Sequence, residues 1–568
     1  TRRPSLSRAC VSGALLRMTL LSVARALVAL APAAFVIVGA AVAGSGGDDA
    51  GWELLATSMG DEVQNECFKI PELPPWAHGD FFISGPARFE KGGYRFKSLF
   101  DGYGRTNRFE LRQGEACYAS KWMKTNYFRM AEELGRISNG PTFYGVEPPL
   151  PPCPLKHPIC FLTGAQMDNN WVYMIPVAGK GLMTTDSPSF VDMDLASLNT
   201  TGMHQWSVSP PWIEPFHAPS VGSAHPTLRP KTEATWVEIL VEVPMLPFGK
   251  PAVGVYTFDG RVGAKRTLLA TVPLKHMHYF HSFGVSEHYV VLPCNLAMGL
   301  PKHGANLLDA FEGAWDGIRV VDLEGRVQVF DTTEHFYHVH IANTFENATG
   351  IVMDLGAYNE IPFAPSPVLI RDLFVNKTAR DGNRNLASFR RLHLHLAGPL
   401  KGKVTTESFS VPRRTLDFFK INPAVNGLPY CVYYAVEWFH DGESYASMAV
   451  LKHDLCRGTR TYWAKPDSYP GEPFFIGPRG EGAGVAAAME EDHGLLVFIT
   501  LNGRRRASDF VVLDAATFSE VAVVELPVHI PFTAHGQFIP SATREMHATG
   551  GASKQWDIAA AVGATVVV

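Results

Sequence analysis

Four histidines in this chain stand in short sequence contexts that suggest one shared task. They are His225 in Ser-Ala-His-Pro, His281 in His-Ser-Phe-Gly, His340 in His-Ile-Ala-Asn and His535 in Thr-Ala-His-Gly. The chain has 21 histidines, so any single one is weak evidence for a binding site. Four neutral imidazoles with open coordination positions suit Fe(II) and O2 better than structural zinc. Several neighbouring histidines remain alternatives on spacing alone: His276, His278, His335 and His338.

A recurring hairpin pattern predicts how these histidines are positioned. An apolar strand, an acidic or small turn and a second apolar strand recur seven times, at residues 108–114, 190–203, 255–262, 318–329, 392–404, 448–463 and 510–524. Alternating strands with Asp or Gly at the turn are typical of β-hairpins. Their coarse repetition predicts an all-β chain folded as a seven-bladed propeller, with a cap of inserted loops and helices over one face. Each of the four histidines follows a different hairpin, where the innermost strand of the next blade would begin, so the four would converge on the axis. A two-sheet sandwich with additional domains is the alternative.

The overall composition excludes some partners. The chain has 568 residues, of which 18% are charged, and its formal net charge is −5. It therefore lacks the basic surface that binding to nucleic acid requires. We expect no nucleic-acid partner and no polyanionic substrate.

The eight cysteines form no pair of C-x-x-C motifs, so a zinc ribbon is unsupported. We expect free thiols in a mostly reducing compartment. Cys153 and Cys160 flank a proline-rich loop, and they are the pair we would expect to bond if the compartment oxidises.

The N-terminal segment resembles a targeting signal. Several arginines precede an uncharged apolar run at residues 26–43, which ends in Ala-Val-Ala before a glycine-rich stretch. This pattern is typical of a secretory or plastid-targeting leader that is cleaved, although the run is also just long enough for a retained membrane anchor. We therefore predict a targeting or anchor segment with linker at 1–50, one propeller domain at 51–541 and a tail at 542–568. If the segment neither targets nor anchors the protein, we expect a membrane-associated cytoplasmic protein.

Four further motifs carry a family resemblance. They are Pro-Pro-Trp-Ala-His-Gly at 74–79, Gly-Pro-Ala-Arg-Phe-Glu at 85–90, Leu-Phe-Asp-Gly at 99–102 and Pro-Asp-Ser-Tyr-Pro-Gly-Glu-Pro at 466–473. With the four histidine motifs, they make residues 66–541 resemble the carotenoid cleavage oxygenases. The likeness is to the animal-type branch, which includes the β-carotene oxygenases and the retinal-pigment-epithelium isomerohydrolase. It implies a seven-bladed propeller with axial Fe(II), and it favours His281 over His278 and His340 over His338.

The resemblance also implies three carboxylates that orient the imidazoles. Family members use Glu at these places, and the matching residues here are Asp186, Asp417 and Glu472. A carboxylate that accepts the second N–H of a ligating histidine sets its tautomer and ring angle. Two of the three are one methylene shorter, so we expect Asp186 and Asp417 to reach their histidines only through water or a small backbone shift. The alternative is that both aspartates are ordinary turn residues.

The activity that the resemblance implies is oxidative cleavage of a conjugated double bond in a carotenoid or apocarotenoid. O2 is the second substrate, and the products are aldehydes or ketones, as in retinoid metabolism. Three alternatives are a retinyl-ester isomerohydrolase, a stilbene-type phenolic cleavage enzyme and a non-catalytic retinoid- or carotenoid-binding propeller.

A peripheral membrane contact is expected at the proline-rich loop. The segment 151–156 takes the place of a membrane-contact motif of the animal branch, with a different order of residues. Phe143, Tyr144, Ile159 and Phe161 lie beside it and would give an exposed apolar patch. Burial under the cap is the alternative.

Overall fold

The computed structural model describes residues 49–140, 142–151, 168–209, 217–232, 234–244, 249–263, 265–299, 310–332, 334–362, 369–478 and 491–541. The predicted leader up to residue 48, the tail after residue 541 and most of the proline-rich loop therefore lie outside the described residues. So do Cys153, Cys160, Ile159 and Phe161.

The described chain folds almost entirely into β-strands, which are numbered here in chain order. In the first half they are β1 Val63–Lys69, β2 Gly79–Arg88, β3 Glu90–Lys91, β4 Tyr94–Phe96, β5 Tyr103–Arg112, β6 Glu115–Trp122, β7 Val146–Glu147, β8 Tyr173–Val177, β9 Lys180–Thr184, β10 Val191–Met193, β11 Thr200–Met203, β12 Ser207–Ser209, β13 His217–Gly222, β14 Thr227–Leu228, β15 Thr235–Pro244, β16 Ala252–Asp259 and β17 Lys265–Pro273. In the second half they are β18 Gly284–Val285, β19 Tyr289–Pro293, β20 Ala297–Met298, β21 Phe311–Glu312, β22 Ile318–Asp322, β23 Val327–Phe330, β24 Tyr337–Asn347, β25 Gly350–Tyr358, β26 Ser388–His395, β27 Val404–Ser408, β28 Thr415–Lys420, β29 Val432–Trp438, β30 Ala449–Asp454, β31 Thr459–Trp463, β32 Ser468–Pro470, β33 Phe474–Ile476, β34 Leu495–Asn502, β35 Ala507–Asp514, β36 Glu520–Glu525 and β37 Gly536–Pro540.

Helical structure is sparse among these residues. The α-helices are α1 Asn126–Leu134 and α2 Lys377–Asp381, and short helical turns occupy Trp52–Ala56, Pro75–Ala77, Leu99–Asp101, Arg371–Val375 and Pro423–Val425. Helix α1 begins at a typical cap, because the Thr125 hydroxyl accepts the Phe128 N–H. Within the described ranges, no helix is both long and apolar enough to span a lipid bilayer.

The strands form seven sheets of four or more strands. In spatial order these are β1-β6-β5-β2-β37, β11-β10-β9-β8, β12-β17-β16-β15-β13 with β14 beside β15, β18-β19-β22-β23, β24-β25-β26-β27, β28-β29-β30-β31, and β32-β34-β35-β36 with β33 beside β34. Two smaller sheets, β20-β21 and β3-β4-β7, are added to these. The first large sheet joins the two ends of the described chain, because β37 pairs with β2.

Each of the seven predicted hairpins is formed, and each belongs to a different large sheet. They are β5–β6, β10–β11, β16–β17, β22–β23, β26–β27, β30–β31 and β35–β36. Burial explains the sequence pattern. Strand β35, which lies between β34 and β36, is buried at every position but the last and contains the apolar run 510–513, whereas the edge strand β36 has buried residues between exposed ones. The prediction of an all-β chain is confirmed.

Hydrophobic cores join each large sheet to the next one along the chain. Phe82 and Met183 share a core between the first and second sheets, and similar cores link the second to the third and so on to the seventh. The seventh sheet packs back on the first, where the rings of Phe109 and Phe510 stack with centroids 4.2 Å apart. Each sheet therefore buries both faces against neighbouring sheets.

The cysteine prediction is wrong for four of the eight residues. Cys67 is bonded to Cys117, and Cys431 is bonded to Cys456. Cys67 lies directly opposite Cys117 where β1 pairs with β6, a proximity that depends on strand pairing over 50 residues of sequence. Cys294 is a buried free thiol.

Candidate metal centre

The four predicted histidines lie on or beside edge strands of four different sheets. His225 lies between β13 and β14, His281 shortly before β18, His340 within β24 and His535 directly before β37. The Nε2 atom of His281 lies 3.2 Å from Nε2 of His225 and 3.2 Å from Nε2 of His340. One ligand nitrogen from each of the four rings lies within 4.8 Å of the others. The structure thus brings all four together.

The three predicted carboxylates lie directly behind three of these rings. Asp186 Oδ1 is 2.9 Å from Nδ1 of His281, and Asp417 Oδ1 is 2.8 Å from Nδ1 of His340. Glu472 Oε1 is 2.7 Å from Nδ1 of His535, and its other oxygen accepts the Gly536 N–H. Asp186 follows β9, Asp417 lies in β28 and Glu472 lies between β32 and β33. The four histidines and three carboxylates therefore come from seven different sheets.

The two aspartates contact their histidines directly; of the two expected routes, water or a small backbone shift, the bridging water is not needed. Beside Asp417 the register of β28 against β29 shifts, and Phe418 takes a left-handed backbone conformation with φ 58°. Such a bulge redirects a side chain next to a site. Beside Asp186 the chain runs very close to Gly222, where an added Cβ would lie 2.5 Å from the Ser187 carbonyl oxygen. With this local backbone geometry both aspartates reach their histidines directly.

Two tyrosines, which the sequence motifs did not single out, hold these aspartates. The Tyr358 hydroxyl donates to Asp417 Oδ2 at 2.8 Å. The Tyr279 hydroxyl is 3.1 Å from Nδ1 of His281 and also hydrogen bonds with Asp186. Burial and the adjacent carboxylates raise the pKa of both tyrosines well above its usual value, so both stay protonated donors. Tyr279 stands two residues before His281, a same-face spacing visible in the sequence, whereas Tyr358 has no such local signal.

Electrostatics favour uncharged rings at this centre. Burial, followed by the neighbouring histidines and Lys420, lowers the pKa of His225 and His535 well below its usual value. Burial raises the pKa of Glu472 to about 7, against the opposing effect of Lys420, whose Nζ lies 3.3 Å from Oε2. An ionised carboxylate only accepts, so Nδ1 of His281 and of His340 carries the proton beside ionised Asp186 and Asp417, and Nε2 keeps a lone pair. The same holds for His535 when Glu472 is ionised. The centre can therefore offer imidazole nitrogen donors to a metal ion.

The neighbouring histidines have other partners. His338 is buried, with Nε2 3.2 Å from the Ser282 carbonyl and Nδ1 3.0 Å from the Asn295 amide, and burial lowers its pKa to about 4. His335 stacks on Trp315. His276 and His278 both contact Asp316. None of the four belongs to the central cluster.

Two largely apolar cavities meet beside the cluster. The first is lined by His281, His340 and His535 together with aromatic residues such as Trp171 and Phe143. The second extends from His340 towards Trp52, Trp438, Tyr445 and Met448. Both share the side chains of Phe100, Val339, Phe418 and Phe532 as a common wall.

The described part of the predicted lipid patch is only partly exposed. Phe143 and Tyr144 are half-buried and pack against a hydrophobic core. Phe143 also lines the first cavity and contacts the ring of Phe100. Membrane contact therefore stays a prediction for the loop outside the described residues.

Comparison with known proteins identifies the family. The family model described as retinal pigment epithelial membrane protein matches residues 57–540. The chain belongs to this carotenoid oxygenase family. The predicted resemblance, which covered residues 66–541, is thereby confirmed.

Curated relatives within the carotenoid oxygenase family align over most of both chains. A carotenoid isomerooxygenase of Galleria mellonella is 25% identical over 511 residues, which cover 83% of this chain and 93% of the relative. A chloroplastic protein of Oryza sativa subsp. japonica, carotenoid cleavage dioxygenase 8 homolog B, is 26% identical over 500 residues, with 83% and 81% coverage. A mitochondrial carotenoid-cleaving dioxygenase of Pongo abelii is 23% identical over 533 residues, with 82% and 90% coverage.

Solved structures of the carotenoid oxygenase family share the fold. A mutant of the Synechocystis apocarotenoid oxygenase superposes with a TM-score of 0.70 at 21% identity, covering 86% of this chain and 98% of the other. A cobalt-substituted form of that oxygenase gives a TM-score of 0.68 at 20% identity and the same coverage. These structures establish a common architecture.

Proposed function

We propose that this protein is an Fe(II)-dependent dioxygenase that cleaves a conjugated double bond of a carotenoid or apocarotenoid. The observation that carries this proposal is the cluster of four imidazoles, three of them backed by carboxylates, at the wall of a largely apolar cavity. Curated family members are described as carotenoid-cleaving dioxygenases and as a carotenoid isomerooxygenase, which supports the same substrate class.

The donor set fits an iron ion. Metal–nitrogen bonds of roughly 2.1 Å place neighbouring ligand nitrogens about 3 Å apart, close to the 3.2 Å between Nε2 of His281 and its two neighbours. His225, His281, His340 and His535 would hold the ion. Asp186, Asp417 and Glu472 would keep three of the rings oriented.

The scaffold that we infer is a seven-bladed propeller with the metal on its axis and a cap of loops above it. Seven large sheets, each sharing hydrophobic cores with its two neighbours and the last packing on the first, support this arrangement. The seven residues of the centre come one from each sheet, which is the pattern of side chains pointing towards a common axis.

The cavities support a long apolar substrate. Two polar residues of the first cavity are hydrogen-bonded to the backbone. Asn169 bonds to Gly102 and Gly104, and Asp101 accepts the N–H groups of Phe143 and Tyr144. The walls therefore offer mainly hydrocarbon and aromatic surface, which suits a polyene. A substrate that lies in both cavities would pass beside His340.

The reaction adds the two atoms of O2 to the two carbons of one double bond, whose cleavage gives two carbonyl products. Fe(II), when bound, supplies the redox chemistry that allows O2 to react with an alkene. The apolar walls hold the chosen bond beside the cluster and exclude water. The carboxylates hold the protons on Nδ1 of their histidines, so Nε2 of each ring keeps the lone pair that binds the metal.

Iron-reconstituted protein incubated with β-carotene or an apocarotenal tests the proposal. We expect aldehyde products only in the presence of O2, with both atoms of 18O2 recovered in the two products. His340→Ala should lose iron, whereas the matched variant His338→Ala, two residues away on the same strand, should retain it.

The other outcomes are distinguishable. Hydrolysis and isomerisation of a retinyl ester without O2 would replace the proposal with the isomerohydrolase. A protein that binds carotenoid but turns over no substrate would be a binding propeller. An active, iron-loaded His340→Ala variant would refute the ligand assignment.

A further inference from the structure

A second group of metal-binding side chains lies outside the four-histidine cluster, between β17 and β22. Nδ1 of His276 is 3.1 Å from both carboxylate oxygens of Asp316. Nε2 of His278 is 2.9 Å from Asp316 Oδ2. The three ligand atoms lie within 4.8 Å of one another. Two imidazole nitrogens and one carboxylate oxygen thus face a common point.

The backbone holds these side chains in place. The Asp316 N–H donates to the Cys294 carbonyl, and the Cys294 N–H donates to the Gly317 carbonyl. The His276 N–H donates to Asp316 Oδ2, and Arg319 donates to the Asp316 carbonyl oxygen, leaving the carboxylate to the two histidines. Such support positions ligand groups before an ion arrives.

The burial of the three side chains is typical of a metal site that is open to solvent on one side. The His278 side chain is 0% exposed and that of Asp316 is 2% exposed, whereas that of His276 is 41% exposed. Solvent can therefore reach the group at His276 and supply a water as a further ligand.

The donor chemistry suits zinc. Zn2+ binds His nitrogen and Asp oxygen at about 2.0 to 2.2 Å, and three protein ligands with one water form a common tetrahedral set. In a tetrahedron of that size neighbouring ligand atoms are roughly 3.3 Å apart. The contacts of 2.9 and 3.1 Å at Asp316 are close to this spacing, and the two imidazole nitrogens lie within 4.8 Å of each other.

We propose that His276, His278 and Asp316 form a second metal site, which binds Zn2+ and is separate from the four-histidine cluster. His278 and His281 stand on the same short segment, and Tyr279 between them contacts His281. Zinc at the second site would stabilise the segment that carries one ligand of the main centre.

Zinc titration of the iron-loaded full chain, in competition with a chromophoric chelator, tests the proposal. We expect one zinc equivalent to bind beyond the iron and to raise the midpoint of thermal unfolding. His276→Gln should weaken this equivalent at least about tenfold and leave the iron content unchanged. The matched control His288→Gln removes a histidine of similar exposure that contacts Glu346 instead, and it should bind zinc as the unaltered chain does.

Equal zinc affinity in the unaltered chain and His276→Gln would overturn the proposal. Release of one iron per zinc bound would also overturn it, because zinc would then occupy the four-histidine cluster. Anomalous scattering at the zinc edge from crystals of the unaltered chain locates the ion independently of any variant. A peak beside His276 supports the site, and a peak only at the main cluster refutes it.

Discussion

Asp417→Asn tests whether the carboxylate behind His340 controls metal binding. Asn keeps the size of the side chain but removes its charge. It therefore accepts a weaker hydrogen bond from Nδ1 of His340, which lies 2.8 Å from Asp417 Oδ1. A hydrogen bond to a charged group contributes about 1.5 to 3 kcal/mol. At about 1.36 kcal/mol per factor of ten, loss of this hydrogen bond corresponds to a roughly 10- to 150-fold lower affinity for the metal.

Tyr358→Phe is the matched smaller change at the same carboxylate. It removes only the hydroxyl that donates to Asp417 Oδ2 at 2.8 Å, and the contact with His340 remains. The hydroxyl acts on His340 only through Asp417, so we expect a smaller loss of iron affinity than in Asp417→Asn, below about tenfold.

Iron release to a chromophoric Fe(II) chelator measures both effects. The unaltered chain should release iron most slowly, Tyr358→Phe faster and Asp417→Asn fastest. Asp417→Glu separates the effect of length from that of charge. Because Asp417 already reaches His340 directly, the longer side chain should not improve iron retention. Equal retention in Asp417→Asn and the unaltered chain, or tighter retention in Asp417→Glu, would refute this reasoning.

Three further outcomes are expected. Burial raises the pKa of Asp101 to about 7, above about 3.9 in the unfolded chain. The contribution of Asp101 to the stability of the fold is therefore present at low pH and lost as the pH rises through 7. Relative to Asp101→Asn, the unaltered chain should lose about 3 kcal/mol of stability between pH 5 and 8, and parallel pH profiles of thermal unfolding would contradict this. Replacing Cys431 and Cys456 with Ser opens a cross-link over 25 residues and should lower the free energy of unfolding by about 3 kcal/mol; unchanged denaturant midpoints would exclude such a contribution. Phe532→Ala removes part of the wall that the two cavities share. It should lower kcat/KM by about 10- to 100-fold and add new cleavage positions, whereas a single unchanged product by mass spectrometry would argue against a positioning role.

The sequence by itself determined the repeating local structure. Strand alternation and turn residues depend on neighbours a few positions apart, so all seven hairpins were predictable from the chain. The family resemblance, which rests on short local motifs, favoured His281 over His278 and His340 over His338. It also implied the three carboxylate positions.

Only the tertiary structure decided which groups touch. The direct contact of Asp417 with His340 depends on a bulge and a left-handed Phe418, which the residue types do not reveal. Tyr358 meets Asp417 across 59 residues of sequence, and Cys67 meets Cys117 across 50. Such contacts arise from the pairing of strands and the packing of sheets, so no local pattern in the sequence specifies them.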